Sequence, residues 1–245
     1  EPAIDSSGKL TFTPAADANG EASFTVVLRD DDGTDHGGVD ASVSHSFTIT
    51  VTSVNDDPTF TLPAGVTVLE DSHDYDTPVA FATGITTGGG SDEAGQTLTF
   101  TLSGYTASLF SAAPDIDEAT GKLTFTPAAD AYGATTVNVS LSDGTNTVNG
   151  SFTITVNSVN DQPAFTDGGD VTVGEDCGAQ TVSWAGSINP GPAANETQTV
   201  TFDITKDSET NNSSGALFLA EPAIDSSGKL TFTPAADANG EASFT

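Results

Sequence analysis

The chain has 245 residues, of which 36% are hydrophobic, which is enough for one large domain or two ordinary ones with buried cores. Its 35 acidic residues face only 5 basic ones, giving a formal net charge of -30. This charge excludes a basic groove for nucleic acid, and no apolar run of about 18 residues is present for insertion into a membrane. It fits either a salt-adapted acidic surface or clustered carboxylates that bind divalent cations, and composition does not decide between them.

The first 25 residues, EPAIDSSGKLTFTPAADANGEASFT, recur unchanged at positions 221–245, which gives a repeat period of 220 residues. A related stretch, IDEATGKLTFTPAADAYG, occupies positions 116–133. In its KLTFTP segment Leu123 and Phe125 alternate with polar residues, as Leu10 and Phe12 do in the first copy. Alternation of this kind predicts a strand with one buried face.

A second, looser repeat marks the boundaries of modules. SVNDDPTF at 53–60 recurs as SVNDQPAF at 158–165, and a short strand ending in two acids follows each: VTVLED at 66–71 and VTVGED at 171–176. We therefore predict a complete module at 56–160, the N-terminal part of a second module type at 161–245 and the C-terminal part of such a module at 1–55. On this reading we expect the chain to be a window from a longer tandem array.

The remaining elements also alternate with a period of two. Apolar residues alternate with Thr, Asn or Ser in TLTFTLS (97–103), TVNVSLS (136–142) and SFTITV (151–156), and Thr suits the exposed face of a strand. Gly, Asp and Asn supply turns such as DDDGTD (30–35) and SDGTN (142–146). These patterns predict an all-β chain of tandem antiparallel Greek-key β-sandwiches, with about seven strands in each module.

No catalytic motif stands out. The three histidines, His36, His45 and His73, belong to no metalloprotease, triad or phosphate-binding motif, and the chain has no GxSxG sequence. Cys177 has no basic neighbour in sequence. We therefore expect that the protein is not an enzyme and that it has no organic cofactor.

The acidic residues collect where strands end and modules meet. Any one of them is explained by turn formation, whereas the same set in two diverged modules favours a calcium site, because calcium takes six to eight oxygen ligands. SVNDDPTF and SVNDQPAF resemble the cadherin junction motif DxNDNxPxF. The modules resemble the cadherin-like, immunoglobulin-like tandem repeats of large bacterial surface proteins. The resemblance implies calcium at the junctions and a protein that is secreted or lies on the bacterial cell surface.

The resemblance also implies ligands. For the junction near 160 they are Glu70, Asp130, Asn160 and Asp161, and for the junction near 55 they are Asp17, Asn55, Asp56, Asp92 and Asp143. Glu175 and Asp237 would serve a further junction. Cadherins have Asp where this chain has Ser53 and Ser158, and the second module offers Asn195 and Glu196 in place of SDE at 91–93. Fewer carboxylates imply one or two ions at each junction.

These features favour a structural repeat segment of a long extracellular adhesin or surface fibre, stiffened by calcium, with neighbouring modules or copies as head-to-tail partners. One alternative is the subunit of a filament in which a neighbouring copy completes the partial modules. The other is a carbohydrate- or ice-binding module that uses Thr-rich strand faces.

Overall fold

The computed structural model describes residues 1–192, 196–213 and 215–245. Within these ranges there are twenty strands and two single-turn 3-10 helices, Asp35–Gly37 and Ala107–Leu109. The prediction of an all-β chain is therefore confirmed. No helix in the described ranges is long and apolar enough to span a bilayer.

The chain forms two compact units. The first comprises Glu1–Val68, Ser72–Pro127 and Ala134–Thr155, and the second comprises Leu69–Asp71, Ala128–Gly133 and Val156–Thr245. The strands up to β13 lie mainly in the first unit: β1 Ala3–Ile4, β2 Leu10–Thr11, β3 Gly20–Val26, β4 His45–Val51, β5 Thr59–Thr61, β6 Gly65–Leu69, β7 Tyr75–Asp76, β8 Thr83–Thr86, β9 Thr99–Ser103, β10 Phe110–Ile116, β11 Leu123–Pro127, β12 Gly133–Ser142 and β13 Thr147–Asn157.

Seven of these strands form the sandwich of the predicted complete module. One sheet has the order β10-β11-β7 and the other β6-β13-β12-β9, which agrees with the predicted seven strands. Both sheets supply the core, whose fully buried residues include Ile116, Leu123, Val137, Leu141 and Ile154. The separate pair β5 and β8 lies outside these two sheets.

The period of two explains the register between strands. In the antiparallel pair of β12 and β9, Val139 lies opposite Leu102 and Leu141 lies opposite Phe100. Paired apolar residues therefore share one face of the sheet, and the intervening Ser and Thr residues take the other. The strands predicted from TLTFTLS, KLTFTP, TVNVSLS and SFTITV are all present.

Strand β6 lies beside β13 and brings its acidic end to the following linker. The amide of Thr153 donates to the carbonyl of Ala64 at 3.1 Å, and the amide of Glu70 donates to the carbonyl of Asn157 at 2.8 Å. From the first bond to the second, the residue numbers increase on both strands, so the two strands run parallel. Glu70 is thereby placed next to the segment that carries the second VND motif.

Residues 1–55 form two strand pairs, β1 with β2 and β3 with β4. The longer pair joins Gly20 to Val51 at one end and Val26 to His45 at the other, and Phe24 stacks on Phe47 at 5.5 Å. Much of the apolar surface stays exposed, including Ile4, Leu10 and Phe12.

The second unit contains the other copy of the duplicated sequence. Its strands are β14 Ala164–Thr166, β15 Gln180–Ser183, β16 Gly186–Asn189, β17 Lys206–Asn211, β18 Phe218–Ile224, β19 Lys229–Pro234 and β20 Gly240–Phe244. They form a sheet of order β15-β19-β18 and the pairs β17-β20 and β14-β16. Strand β19 has six residues, whereas β2, its counterpart of the same sequence, has two.

Candidate metal centres

Three aspartates of the second unit converge near the linker after β13. Asp71 follows β6, Asp130 lies in the turn after β11 and Asp161 lies in the linker itself. One carboxylate oxygen from each lies within 4.8 Å of the others. This separation suits one calcium ion, because its ligand oxygens lie at about 2.3–2.6 Å from the metal. We define the Asp161 cluster as these three residues with Glu70, Asn160, Glu196 and Gln198.

The backbone at two of these aspartates is left-handed. Asp71 has a φ of 57° and Asp130 a φ of 55°, and the amide of Asp130 donates to Asp71 Oδ1 at 3.2 Å. Asp and Asn adopt this conformation more readily than larger residues do. Asp176 and Asp237 repeat the arrangement. Their φ values are 61° and 56°, and the amide of Asp237 donates to Asp176 Oδ1 at 3.0 Å. These bonds therefore hold the carboxylates of Asp71 and Asp176 against the turns that contain Asp130 and Asp237.

The linker of the Asp161 cluster is held by side-chain hydrogen bonds. The amide of Asp161 donates to Glu196 Oε1 at 3.4 Å, and Gln198 Nε2 donates to Asn160 Oδ1 at 2.9 Å and also to Glu196 Oε2. Asn160 Nδ2 donates to the carbonyl of Asp161 at 3.0 Å. Glu70 Oε1 accepts from the amide of Val159 at 2.7 Å.

The first unit repeats this network around Asp56. The amide of Asp56 donates to Glu93 Oε1 at 2.6 Å, Gln96 Nε2 donates to Asn55 Oδ1 at 2.6 Å, and Asn55 Nδ2 donates to the carbonyl of Asp56 at 2.9 Å. The same three bonds thus recur with Asp161, Asn160, Glu196 and Gln198. We define the Asp56 cluster as Asn55, Asp56, Glu93 and Gln96 with the neighbouring carboxylates of Asp17, Asp57 and Asp92.

Glycines line both clusters because the chain approaches the acids closely. A Cβ on Gly89 would overlap the carboxylate of Asp56, and a Cβ on Gly191 would come within 2.6 Å of Glu196 Cγ. A Cβ on Gly90 would come within 2.7 Å of the carbonyl oxygen of Asp17. The chain therefore packs tightly against the acids at both clusters, and at the Asp56 cluster it also lies close to the carbonyl oxygen of Asp17.

In each cluster the aspartate of the linker has a raised pKa. Desolvation raises the pKa of Asp56 above its ordinary value, and the nearby charges of Asp17, Glu93, Asp92 and Asp57 raise it further. Desolvation likewise raises the pKa of Asp161, with added repulsion from Asp130, Asp71 and Glu196. The ion pairs in the described ranges involve other carboxylates, those of Asp40, Asp76, Glu209 and Glu221.

Both clusters contain buried side-chain oxygens that have no hydrogen-bond partner among the described residues. Glu70 is 1% exposed and Glu93 is 2% exposed, and the Oε2 atom of each has no hydrogen-bond partner among the described residues. The same is true of Asp161 Oδ2 and Gln96 Oε1. Burying an unpaired carboxylate oxygen is costly. Carboxylate and amide oxygens without other partners are the ligands that calcium takes, so the residues of both clusters fit that ion.

Most of the residues predicted as ligands are brought together as expected. Those found in the two clusters are Asp17, Asn55, Asp56, Asp92, Glu70, Asp130, Asn160 and Asp161. Their role as metal ligands stays a prediction. Asn195, which the sequence also offered, lies outside the described residues.

Two predicted ligands have other surroundings. Asp143 Oδ1 accepts from the amides of Thr145 and Asn146 at 2.7 and 2.6 Å, and its Oδ2 accepts from Asn55 Nδ2 at 3.1 Å. The turn amides, that of Asn146 foremost, lower the pKa of Asp143. Asp143 therefore positions Asn55. Glu175 is exposed and accepts from Asn239 Nδ2 at 3.4 Å.

Sequence reasoning missed several members of the clusters. Asp57, Asp71, Glu93, Gln96 and Gln198 were not predicted as ligands. A signal for Glu93, Gln96 and Gln198 was available, because EAGQTLTF at 93–100 and ETQTVTF at 196–202 share an acid, a Gln-Thr pair and a stretch in which apolar residues alternate with Thr. Asp92, a predicted ligand, lies in the same loop as Glu93, but it is the buried Glu93 that accepts the bond from the linker amide.

No protein-family model and no curated protein matches the chain. Among solved structures it is similar to an endo-fucoidan hydrolase from glycoside hydrolase family 107, with a TM-score of 0.33 and 15% identity, over 100% of this chain and only 36% of the hydrolase. It is similar to Drosophila N-cadherin EC1-4, with a TM-score of 0.40 and 14% identity, over 100% of this chain and 61% of that one. It is also similar to human protocadherin-24 EC1-2, with a TM-score of 0.36 and 17% identity, over 75% of this chain and 79% of that one. These values assign the chain to no family.

Proposed function

We propose that the chain is a non-enzymatic structural repeat segment of an extracellular or cell-surface protein, and that calcium binds at the Asp56 and Asp161 clusters. The observation that carries this proposal is the recurrence of one hydrogen-bond network, with a buried unpaired carboxylate oxygen, at both clusters. Turn formation alone accounts for single aspartates, but it does not account for buried glutamates that hold a linker amide.

Calcium would join chain segments that are distant in sequence. At the Asp161 cluster the ligands would come from Asp71, Asp130 and Asp161, and at the Asp56 cluster from Asp17, Asp56 and the loop that carries Glu93. Without the ion these carboxylates repel one another, and this repulsion opposes the linker conformation that the side-chain hydrogen bonds hold. With the ion bound, each carboxylate is attracted to the cation, and this attraction outweighs the repulsion and fixes the linker.

The proposed role is mechanical. Linkers fixed by calcium make a tandem array stiff, and a stiff array holds whatever it carries away from the cell. Extracellular calcium sites of this class bind with Kd of about 10⁻⁴–10⁻³ M. We therefore expect the sites to fill at extracellular calcium concentrations and to empty in chelator.

The test compares two matched variants, Asp161→Asn and Asp167→Asn. Asp167 is an exposed turn aspartate that accepts from the amide of Gly169 at 3.1 Å, outside both clusters. Calcium titration calorimetry should show the same binding for the parent chain and Asp167→Asn, and the loss of a site in Asp161→Asn. Small-angle scattering should show a narrower distribution of distances in calcium than in chelator. Heats and scattering curves unaffected by calcium would sink the proposal.

A further inference from the structure

The outer face of one sheet carries no charged side chain. In the complete module the sheet β6-β13-β12-β9 buries alternate residues and turns the others towards solvent. On β13 the outward positions, the odd numbers from 147 to 157, hold only Thr, Asn and Ser, and on β6 they hold Gly, Thr and Leu. The outward residues of the other two strands include Thr99, Thr101, Ser103, Thr136, Asn138 and Ser140. We call this surface the hydroxyl face.

This absence of charge is unusual for the chain. Asp and Glu make up 35 of its 245 residues, and they do occur on the outer face of the opposite sheet of the same module. There Thr124 of β11 lies between Asp76 of β7 and Asp115 of β10, and Lys122 forms an ion pair with Asp76 at 3.4 Å. Both sheets belong to one module and meet the same solvent, so solvation alone does not explain why only one of them lacks acids.

The polar groups of the hydroxyl face are available to a ligand. Asn138 lies opposite Ser103 and Ser140 lies opposite Thr101, so β12 and β9 present these side chains in rows across the sheet. Neighbouring strands lie about 4.8 Å apart, which makes the rows a regular array of donors and acceptors. In the described part of the chain, the one side-chain hydrogen bond made by these four residues runs from Ser140 Oγ to the carbonyl of Thr101, at 3.4 Å. The amide of Asn138 and the hydroxyls of Ser103 and Thr101 have no partner there.

The charge of the molecule restricts what this face can bind. A net charge of -30 repels nucleic acid, other anionic polymers and a second copy of the chain. A basic partner would be attracted to the surfaces that carry carboxylates, and an apolar partner would meet hydroxyls and amides in place of a hydrophobic patch. A neutral polymer rich in hydroxyls is free of these obstacles, because its contact with the face desolvates no charge.

We propose that the hydroxyl face binds a neutral polysaccharide. A sugar hydroxyl both donates and accepts hydrogen bonds, as the hydroxyls of Ser and Thr do, and the side-chain amide of Asn offers two donors and an acceptor. The glycan lies across the rows of the sheet and exchanges hydrogen bonds with Thr101, Ser103 and Asn138. The face shares no residue with the Asp56 and Asp161 clusters, so we expect the same binding in calcium and in chelator.

Affinity electrophoresis of the full chain tests this, with dextran, laminarin, mannan and galactomannan as soluble neutral probes. At least one of them should retard the chain relative to a gel without polysaccharide. Asn138→Asp and Asn149→Asp each add one charge to the face with almost no change of shape, and each should weaken binding at least tenfold. Ser111→Asp is the matched control, because it adds the same charge at an exposed position of β10 in the opposite sheet and should bind as the parent does.

Thr101→Val separates the hydroxyl contact from the effect of charge. It keeps the shape of the side chain and removes one hydroxyl, so binding should fall severalfold while the melting temperature, followed by circular dichroism, stays that of the parent. If no polysaccharide of the panel changes the mobility of the chain, or if Asn138→Asp and Asn149→Asp leave binding intact, the proposal is overturned. Partition of the chain into growing ice without binding to any polysaccharide would also overturn it, because ordered water would then be the ligand.

Discussion

Glu93 and Glu196 show what single residues contribute to the candidate sites. Each is almost fully buried, and each uses one carboxylate oxygen to accept the amide of a linker aspartate. Such a position is unfavourable for an acid that has like charges beside it and no base. A bound cation would offset the cost of burying the charged carboxylate and would explain why a glutamate occupies this position.

The substitution Glu93→Gln tests this reading. The amide oxygen of Gln still accepts from the amide of Asp56, while the negative charge is lost, so we expect calcium to bind the Asp56 cluster at least tenfold more weakly. The calcium-free protein should be as stable as the parent or more so, because repulsion with Asp56 is relieved. Calcium titration calorimetry and thermal unfolding measure both effects.

Glu118→Gln is the matched control, because Glu118 Oε1 also accepts a backbone amide, that of Phe100, at 3.0 Å, and it lies outside the clusters. Its calcium affinity should equal that of the parent. Equal affinities for both variants would show that Glu93 is not part of a calcium site.

The residues of the sites were predictable from sequence only in part. The VND motifs located Asn55, Asp56, Asn160 and Asp161 because the motif is local and repeated. Glu93 was missed because its bond to Asp56 joins residues 37 positions apart, a distance over which one sequence carries no pairing information. Its burial, which separates it from Asp92, depends on the packed loop.

The strands show how packing sets the extent of an element. The KLTFTP segment forms a five-residue strand in β11, counted from Leu123, a six-residue strand in β19 and a two-residue strand in β2. The period of two predicted a strand in every case, because it depends only on the alternation of side chains. The lengths were not predictable, because they depend on which neighbours are present to pair.

The same difference predicts unequal costs of one substitution. Phe125 is 2% exposed and packs against Tyr75 and Phe110 at ring distances of 4.7 and 5.5 Å. Phe125→Ala should lower the free energy of unfolding by about 3–5 kcal/mol. Phe12→Ala, at the equivalent position of an exposed copy, should lower it by about 0.5 kcal/mol or less in the monomer. Guanidinium unfolding followed by circular dichroism compares the two, and equal losses would contradict the burial assigned to Phe12.

On the scale of the whole molecule, lowering the pH affects the stability of the folded protein in two opposite ways. Asp56 and Asp161 have pKa values raised above 3.8, so the folded protein holds more protons than the unfolded one as the pH falls towards that value. Their contribution makes the calcium-free protein more stable on mild acidification. Hydrogen bonds lower the pKa values of four other aspartates, so the stability that these bonds contribute is lost only when the pH falls below the ordinary pKa of aspartate. These residues are Asp5, Asp117, Asp143 and Asp225.

We therefore expect calcium to reverse the pH dependence of stability. In chelator the melting temperature should rise as the pH is lowered from neutral towards about 4.5, because protonation relieves the repulsion within the clusters. In calcium it should fall over the same range, since protons compete with the ion for the carboxylates. Thermal scans at several pH values in both conditions measure this, and parallel curves would contradict it.

The left-handed backbone at Asp17, Asp71, Asp130, Asp176 and Asp237 has a consequence for how such an array changes over generations. Besides Asp, the residues that accept this conformation readily are Gly and Asn, and a single-nucleotide change in an Asp codon yields either one. If these aspartates bind calcium as proposed, a module can lose a ligand by point mutation and keep its turn. In the proposed array, stiffness would then be inherited separately from fold and could change at one junction without changing at the others.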